Sequence, residues 1–187
     1  MTETQKTLSH RALEFATAAH HGQERKYGAG PYITHPIEVA EIVGTVTDDE
    51  ITIAAAFLHD VVEDCDVSEQ QIRDAFGADV AAVVRFVTGL ATKADGPRHV
   101  RKAIDRDHYA RGCSRAQTVK VADIISNLRS VVARDPEFAQ VYVAEKADLI
   151  PVLTKAHPAL LDEARRIIEG ATAELTAQGR PLKRKRG

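Results

Sequence analysis

Cysteine is scarce in this sequence: Cys65 and Cys113 are the only two in 187 residues. Neither falls in a CxxC or Cys/His ligand spacing, so there is no disulfide framework and no thiolate-ligand pattern. Free thiols suit a reducing, cytoplasmic setting. No run approaches the ~18 apolar residues that a bilayer span requires. The polar start, Met1 to Lys6, lacks the apolar stretch of a secretory signal. Net charge is small as well, with 25 Lys and Arg against 27 Asp and Glu, giving −2. No global basic field therefore favours nucleic acid, and neither a nucleic-acid nor a membrane partner is expected. Strand-like alternation and internal repeats are also missing.

What is present is an ordinary globular balance, 44% hydrophobic and 28% charged residues, at a length that makes one domain. The expected domain covers residues 1–179. A basic tail, 180–187, follows, and its Lys183-Arg184-Lys185-Arg186 reads as a solvated, disordered end. Oligomeric state is not legible from the pattern.

The periodicity is helical nearly throughout, so the fold class is all-α. Leu8, Ala12, Phe15, Ala16 and Ala19 share a helical face, and Gly22 is a natural stop. Residues 23–32 form a glycine-containing loop carrying Arg25 and Lys26. Pro36 suits a first helical position, with His35 or Thr34 capping. Asp48-Asp49-Glu50 open one helix that continues to Asp64. Ser68 to Gln71 has capping-box spacing, and Gly77 ends that helix. Further helices are expected over 79–88, weakly over 98–111, from a second capping box at Ser114–Gln117 to Arg134, after Asp135-Pro136, and after His157-Pro158.

The strongest chemical signal lies between Ile51 and Asp64. Ile51 to Leu58 are apolar almost all round, as in a buried helix. His59, Asp60, Glu63 and Asp64 then share one arc, with His59–Glu63 and Asp60–Asp64 as i, i+4 pairs. Three carboxylates crowding a helix C-terminus are disfavoured by the helix dipole and, next to a buried segment, by desolvation. A divalent cation would offset both; an exposed acidic helix end is the plain alternative. His35, taken alone, is a cap or packing residue. Asp123 sits with Lys120, Asn127 and Ser130 opposite an apolar stripe of Val121, Ile125, Leu128 and Val132. By itself that is an amphipathic helix with a solvated side.

Together these pieces form a pattern. His20-His21-Gly22-Gln23-Glu24-Arg25-Lys26 is followed by Pro31-Tyr32-Ile33-Thr34-His35-Pro36. Then come Leu58-His59-Asp60-Val61-Val62-Glu63-Asp64, and later Val119-Lys120-Val121-Ala122-Asp123 with Asn127. Phe76-Gly77 and Val87-Thr88-Gly89 fit as well. Over roughly residues 8–155 the chain resembles the HD-domain hydrolases of the RelA/SpoT type, and its length is similar to that of the small stand-alone alarmone hydrolases without a synthetase domain.

The resemblance implies a single HD-domain fold of about eight to ten helices. It implies one divalent metal ion, usually Mn²⁺, held by His35, His59, Asp60 and Asp123. Glu63 and Asp64 would be the catalytic acids. Arg25, Lys26, Asn127 and Ser130 would contact the substrate, a small-molecule nucleotide with a 3′-pyrophosphate, (p)ppGpp or (p)ppApp. Arg25 and Lys26, on a loop, are expected to be exposed and to serve substrate rather than fold. The chain departs from its relatives in two places. After Lys26 it reads Tyr27-Gly28-Ala29-Gly30, where they often have Ser-Gly. After Asp123 it reads Ile124-Ile125-Ser126-Asn127, where they often have Arg-Leu-His-Asn. The alternatives are a hydrolase of 5′-mononucleotides or NADPH, and a metal-holding regulatory module without turnover.

Overall fold

The computed structural model describes residues 6–25 and 30–183. Among them are α1 (Leu8–Ala19), α2 (Thr34–Gly44), α3 (Glu50–Leu58), α4 (Val61–Asp64), α5 (Glu69–Phe76), α6 (Ala78–Val87), α7 (Arg98–Arg111), α8 (Ser114–Arg134), α9 (Pro136–Leu149) and α10 (Pro158–Ala177), with two 3₁₀ turns. The all-α expectation holds. The described residues contain no strand, only an isolated bridge between Glu24 and Pro31 that pinches the base of the loop.

Local chemistry sets several of the ends. The Asp49 side chain accepts from Thr52 N at the start of α3. Ser68 and Gln71 exchange bonds in a true capping box at α5, and Asp135, followed by Pro136, caps α9 by accepting from Phe138 N. Gly77 has φ +90 and ends α5 while starting α6, a conformation that a Cβ would strain.

Two helices make the centre. In α3 the side chains of Ala54, Ala55, Ala56 and Leu58 are fully buried, and α1, α2, α6 and α8 pack around it. Its small residues allow that close approach. Helix α8 packs against α2, α3, α6, α7, α9 and α10 and is buried without interruption from Ala116 to Ser126. It therefore has no solvated side along this stretch. Lys120 and Asp123, placed on such a side by the amphipathic reading, are interior, because α7 and α9 cover that face.

Four other expectations change. The helix over 48–64 is broken: α3 ends at Leu58, His59 and Asp60 lie in the break, and α4 restarts at Val61. Glu63 and Asp64 thus fall in the first turn of a short helix, where the dipole favours carboxylates. Helix α2 begins at Thr34, with Ile33 preceding it and no side-chain cap, which puts His35 inside the first turn. The Ser114–Gln117 box does not form. Gln117 instead turns inward, donating to the carbonyls of Tyr109, Ala110 and Gly112 and accepting from Lys155 N. Finally, the tail does not leave the domain at 180. Leu182 packs on the core and Lys183 N donates to Gln140 O. Arg184 to Gly187 lie outside the described residues.

Candidate metal centre

Three elements deliver the central cluster. His35 comes from the first turn of α2, His59 and Asp60 from the α3–α4 break, and Asp123 from the middle of α8. His59 is fully buried, and its Nδ1–H donates to Ala56 O at 2.8 Å. That bond fixes the tautomer, because a carbonyl can only accept. Nε2 faces inward with no hydrogen-bond partner, although Asp60 Oδ2 is 3.0 Å away. His35 Nε2 lies 3.3 Å from Asp123 Oδ1 and 3.6 Å from Asp60 Oδ2. The imidazole rings of His35 and His59 meet edge-on, centroids 5.1 Å apart.

Donor atoms of His35, His59 and Asp123 all lie within 4.8 Å of one another. Two imidazole nitrogens and a carboxylate, one nitrogen unpartnered and buried, are a donor set that can hold a divalent metal ion. Asp60 borders this trio through the contacts just given, and the Tyr32 hydroxyl lies 2.6 Å from Asp60 Oδ2.

The electrostatics fit a cation site. Burial works against a charged His59, yet the neighbouring Asp60 carboxylate outweighs it and lifts the imidazole to about 9. Burial also works against the Asp123 charge, but the ammonium of Lys120, 3.1 Å from Oδ2, holds the carboxyl well below its usual range. The sequence reading leaves Lys120 on a solvated face, and its contact with Asp123 is not legible there. Its Nζ also donates to Val87 O and sits 4.6 Å over the Tyr109 ring. Asn127 Nδ2 donates to Asp123 Oδ1 at 2.6 Å.

The cluster opens on a cavity of about 400 Å³ lined by Arg25, Tyr32, His35, Asp60, Glu63, Asp123 and Asn127, and by α7 and α9 through Arg98, Lys102, Arg106, Tyr142 and Lys146. Glu63 reaches this cavity and accepts from Gly89 N at 3.2 Å. Asp64 does not line it. Its Oδ2 is 3.1 Å from the Tyr32 hydroxyl, and burial, then the Asp60 charge, raises its carboxyl. Lys146 Nζ lies 4.7 Å over the Tyr142 ring, and burial followed by the charge of Lys120 presses it down to about 8.

The proposed substrate residues divide. Arg25 lines the cavity, but it is not a free loop side chain. Only 14% exposed, it donates to Glu38 Oε2 at 3.0 Å and to Ser126 Oγ at 3.2 Å, because the bridge at Glu24 turns it back onto α2 and α8. Lys26 lies outside the described residues. Ser130 is not part of the cavity wall and bonds the carbonyl of Asn127. Ser126, noted in the sequence only as part of a departure from the relatives, is fully buried, with its Oγ 2.9 Å from His35 Nδ1.

Helices that bring a histidine, a His-Asp pair and a distant aspartate to one buried point define a class, and similarity to known proteins agrees with it. Residues 12–150 match the family described as HD domain. The chain belongs to the HD-domain family. A guanosine-3′,5′-bis(diphosphate) 3′-pyrophosphohydrolase, MESH1, of Danio rerio is 39% identical over 129 residues, which are 67% of this chain and 69% of that protein. A probable guanosine-3′,5′-bis(diphosphate) 3′-pyrophosphohydrolase of Synechocystis sp. is 38% identical over 152 residues, 76% of this chain. The chain spans 19% of that longer protein. A solved structure of a metazoan ortholog of SpoT, described as hydrolysing ppGpp, superposes with a TM-score of 0.78 at 29% identity, over 90% of this chain and 98% of the other. No helix among the described residues is long and apolar enough to cross a membrane.

Proposed function

We propose that this chain is a metal-dependent hydrolase that removes the 3′-pyrophosphate of an alarmone nucleotide, (p)ppGpp or (p)ppApp, leaving the 5′-phosphorylated nucleotide and pyrophosphate. The observation that carries this reading is the His35–His59–Asp123 cluster, with its unpartnered His59 Nε2; His35 and Asp123 line a cavity that several arginine and lysine side chains also line. The named activities of the relatives supply the substrate class. Asp60 completes the ligand set in this reading, and Mn²⁺ is the ion assigned, in keeping with mixed imidazole and carboxylate donors. The free thiols Cys65 and Cys113 fit a cytoplasmic setting.

His35, His59, Asp60 and Asp123 would hold the divalent ion, which would lower the pKa of a water and polarise a phosphoryl oxygen. Glu63, inside the cavity, takes the proton of the attacking water. The water oxygen bonds to the phosphorus attached to the 3′ oxygen. The bond between that phosphorus and the 3′ oxygen breaks, pyrophosphate departs, and the 3′ oxygen takes up a proton. Asp64 supports the reaction indirectly, by holding the Tyr32 hydroxyl against Asp60. Asn127 and Lys120 keep Asp123 oriented and ionised. Arg98, Lys102, Arg106 and Lys146 supply positive charge for the phosphates remote from the cluster. Arg25, Lys26 and Asn127 are assigned to the nucleotide.

The test is to offer the purified protein ppGpp, ppApp, NADPH and mononucleotides, with and without Mn²⁺. Pyrophosphate together with GDP or ADP, only when metal is present, is the expected result. Orthophosphate from NADPH or from mononucleotides, with ppGpp and ppApp untouched, would replace the substrate. No turnover with metal bound would replace the enzyme with a binding module.

A further inference from the structure

Ser126 Oγ stands between two groups that both need it. Arg25 Nη2 donates to it at 3.2 Å, and His35 Nδ1 is 2.9 Å away. Arginine has no acceptor, so its direction is fixed. A hydroxyl carries one proton and two lone pairs, and a neutral imidazole carries its hydrogen on one nitrogen only. Two arrangements follow. If Ser126 donates to Nδ1, the His35 hydrogen sits on Nε2 and points at Asp123 Oδ1, 3.3 Å away. If Nδ1–H donates to Ser126 Oγ, then Nε2 is bare and faces Asp123, Asp60 and His59. Only the second arrangement leaves Nε2 able to bind a metal ion. His59 has no such choice, because a carbonyl settles its tautomer.

We infer that Ser126 is the positioning residue that sets the His35 tautomer and ring orientation for metal binding, and that Arg25 competes with His35 for its oxygen. The inference rests on the metal site proposed above. A metal-ligating histidine usually donates its other N–H to an orienting acceptor, and losing that acceptor typically costs 10–100-fold in metal affinity or activity. Both donors draw on the lone pairs of one hydroxyl oxygen, so the oxygen that already accepts from the guanidinium is a weaker acceptor for the imidazole. Removal of Ser126 and removal of Arg25 therefore act differently on the metal, although both break the same hydrogen-bonded chain.

The experiment measures Mn²⁺ affinity, without nucleotide, for the full chain and for Ser126→Ala and Arg25→Ala. Ser126→Ala keeps a good helix former in α8 and should lose about 10–100-fold in affinity. Arg25→Ala should bind Mn²⁺ at least as tightly as the wild type. Equal losses in both variants would mean that the intact network, not the His35 bond, is what counts, and would overturn the inference. So would an unchanged affinity in Ser126→Ala. Nitrogen NMR of His35 in the Zn²⁺-loaded wild type, which needs no variant, should show the hydrogen on Nδ1; a hydrogen on Nε2 overturns the inference directly. A wild type that takes up no divalent ion removes the metal site itself, and this role with it.

Discussion

Glu63 and Asp64 are neighbours in the chain and differ in what they face. Glu63 lines the cavity, while Asp64 hydrogen-bonds the Tyr32 hydroxyl beside it. Glu63→Gln keeps the shape and the bond from Gly89 N but removes the base. Turnover should fall by about 10²–10⁴-fold, with bound metal per chain unchanged by elemental analysis. Loss of the metal would instead make Glu63 a ligand. His59 gives a second prediction, on pH. In the metal-free protein its imidazole is lifted to about 9, the Asp60 carboxylate overcoming the opposing effect of burial. The unfolded value is about 6.5. This stabilisation is fully present below about pH 6.5 and is lost as pH rises through 9. A metal ion must displace that proton, so its affinity should climb over the same interval, with about one proton released per ion near pH 7.5. Calorimetry in buffers of different ionisation heat measures that proton; release unaltered in His59→Ala would assign it elsewhere.

At the scale of elements, the sequence and the fold part company where tertiary contacts decide. Apolar spacing marked nearly every helix, because most bury one face and expose another. The break at His59–Asp60 was not legible: apolar residues continue from Ile51 to Val62 on both sides of it. Nor was the interior position of Lys120 and Asp123, since a polar row on a helix reads as solvated until α7 and α9 cover it. Of the proposed ligands, His59 and Asp60 stood out from their own surroundings, whereas His35 and Asp123 joined them only through the resemblance to a family; Ser126 was given no role because its partner, His35, is 91 residues away. Gln117 shows the same effect in a purely structural role. Capping-box spacing placed it at a helix start, yet it ties the end of α7 to the segment before α10. Gln117→Ala takes the amide partner from Ala110 O and Lys155 N, while Tyr109 O keeps Gly112 N and Gly112 O keeps the Lys155 ammonium; the cost is about 2 kcal/mol. For a chain of this length that is roughly 4–8 °C in Tm. Because Gln117 does not line the cavity, turnover per folded molecule should be unchanged. A thermal melt together with an active-site titration checks both parts.

For the whole molecule, the proposed metal ligands come from α2, the α3–α4 break and α8, so the ion would join segments that the chain alone brings together at the cost of clustering carboxylates. A ligand that binds the folded state and not the unfolded one stabilises it by mass action. Treatment with a chelator should therefore lower Tm, and added Mn²⁺ should restore it in a concentration-dependent manner. In His59→Ala the melting temperature should respond to neither. An equal response in that variant would place the ion elsewhere on the molecule.

The most direct test of the account follows the atoms of one turnover. The metal-loaded protein is given ppGpp in oxygen-18 water, and the products are weighed by mass spectrometry. Attack at the phosphorus on the 3′ oxygen predicts one labelled oxygen in pyrophosphate, an unlabelled GDP, and no reaction in Asp123→Ala or after chelation. Labelled orthophosphate, label in the nucleotide, or turnover that survives without Asp123 would contradict it.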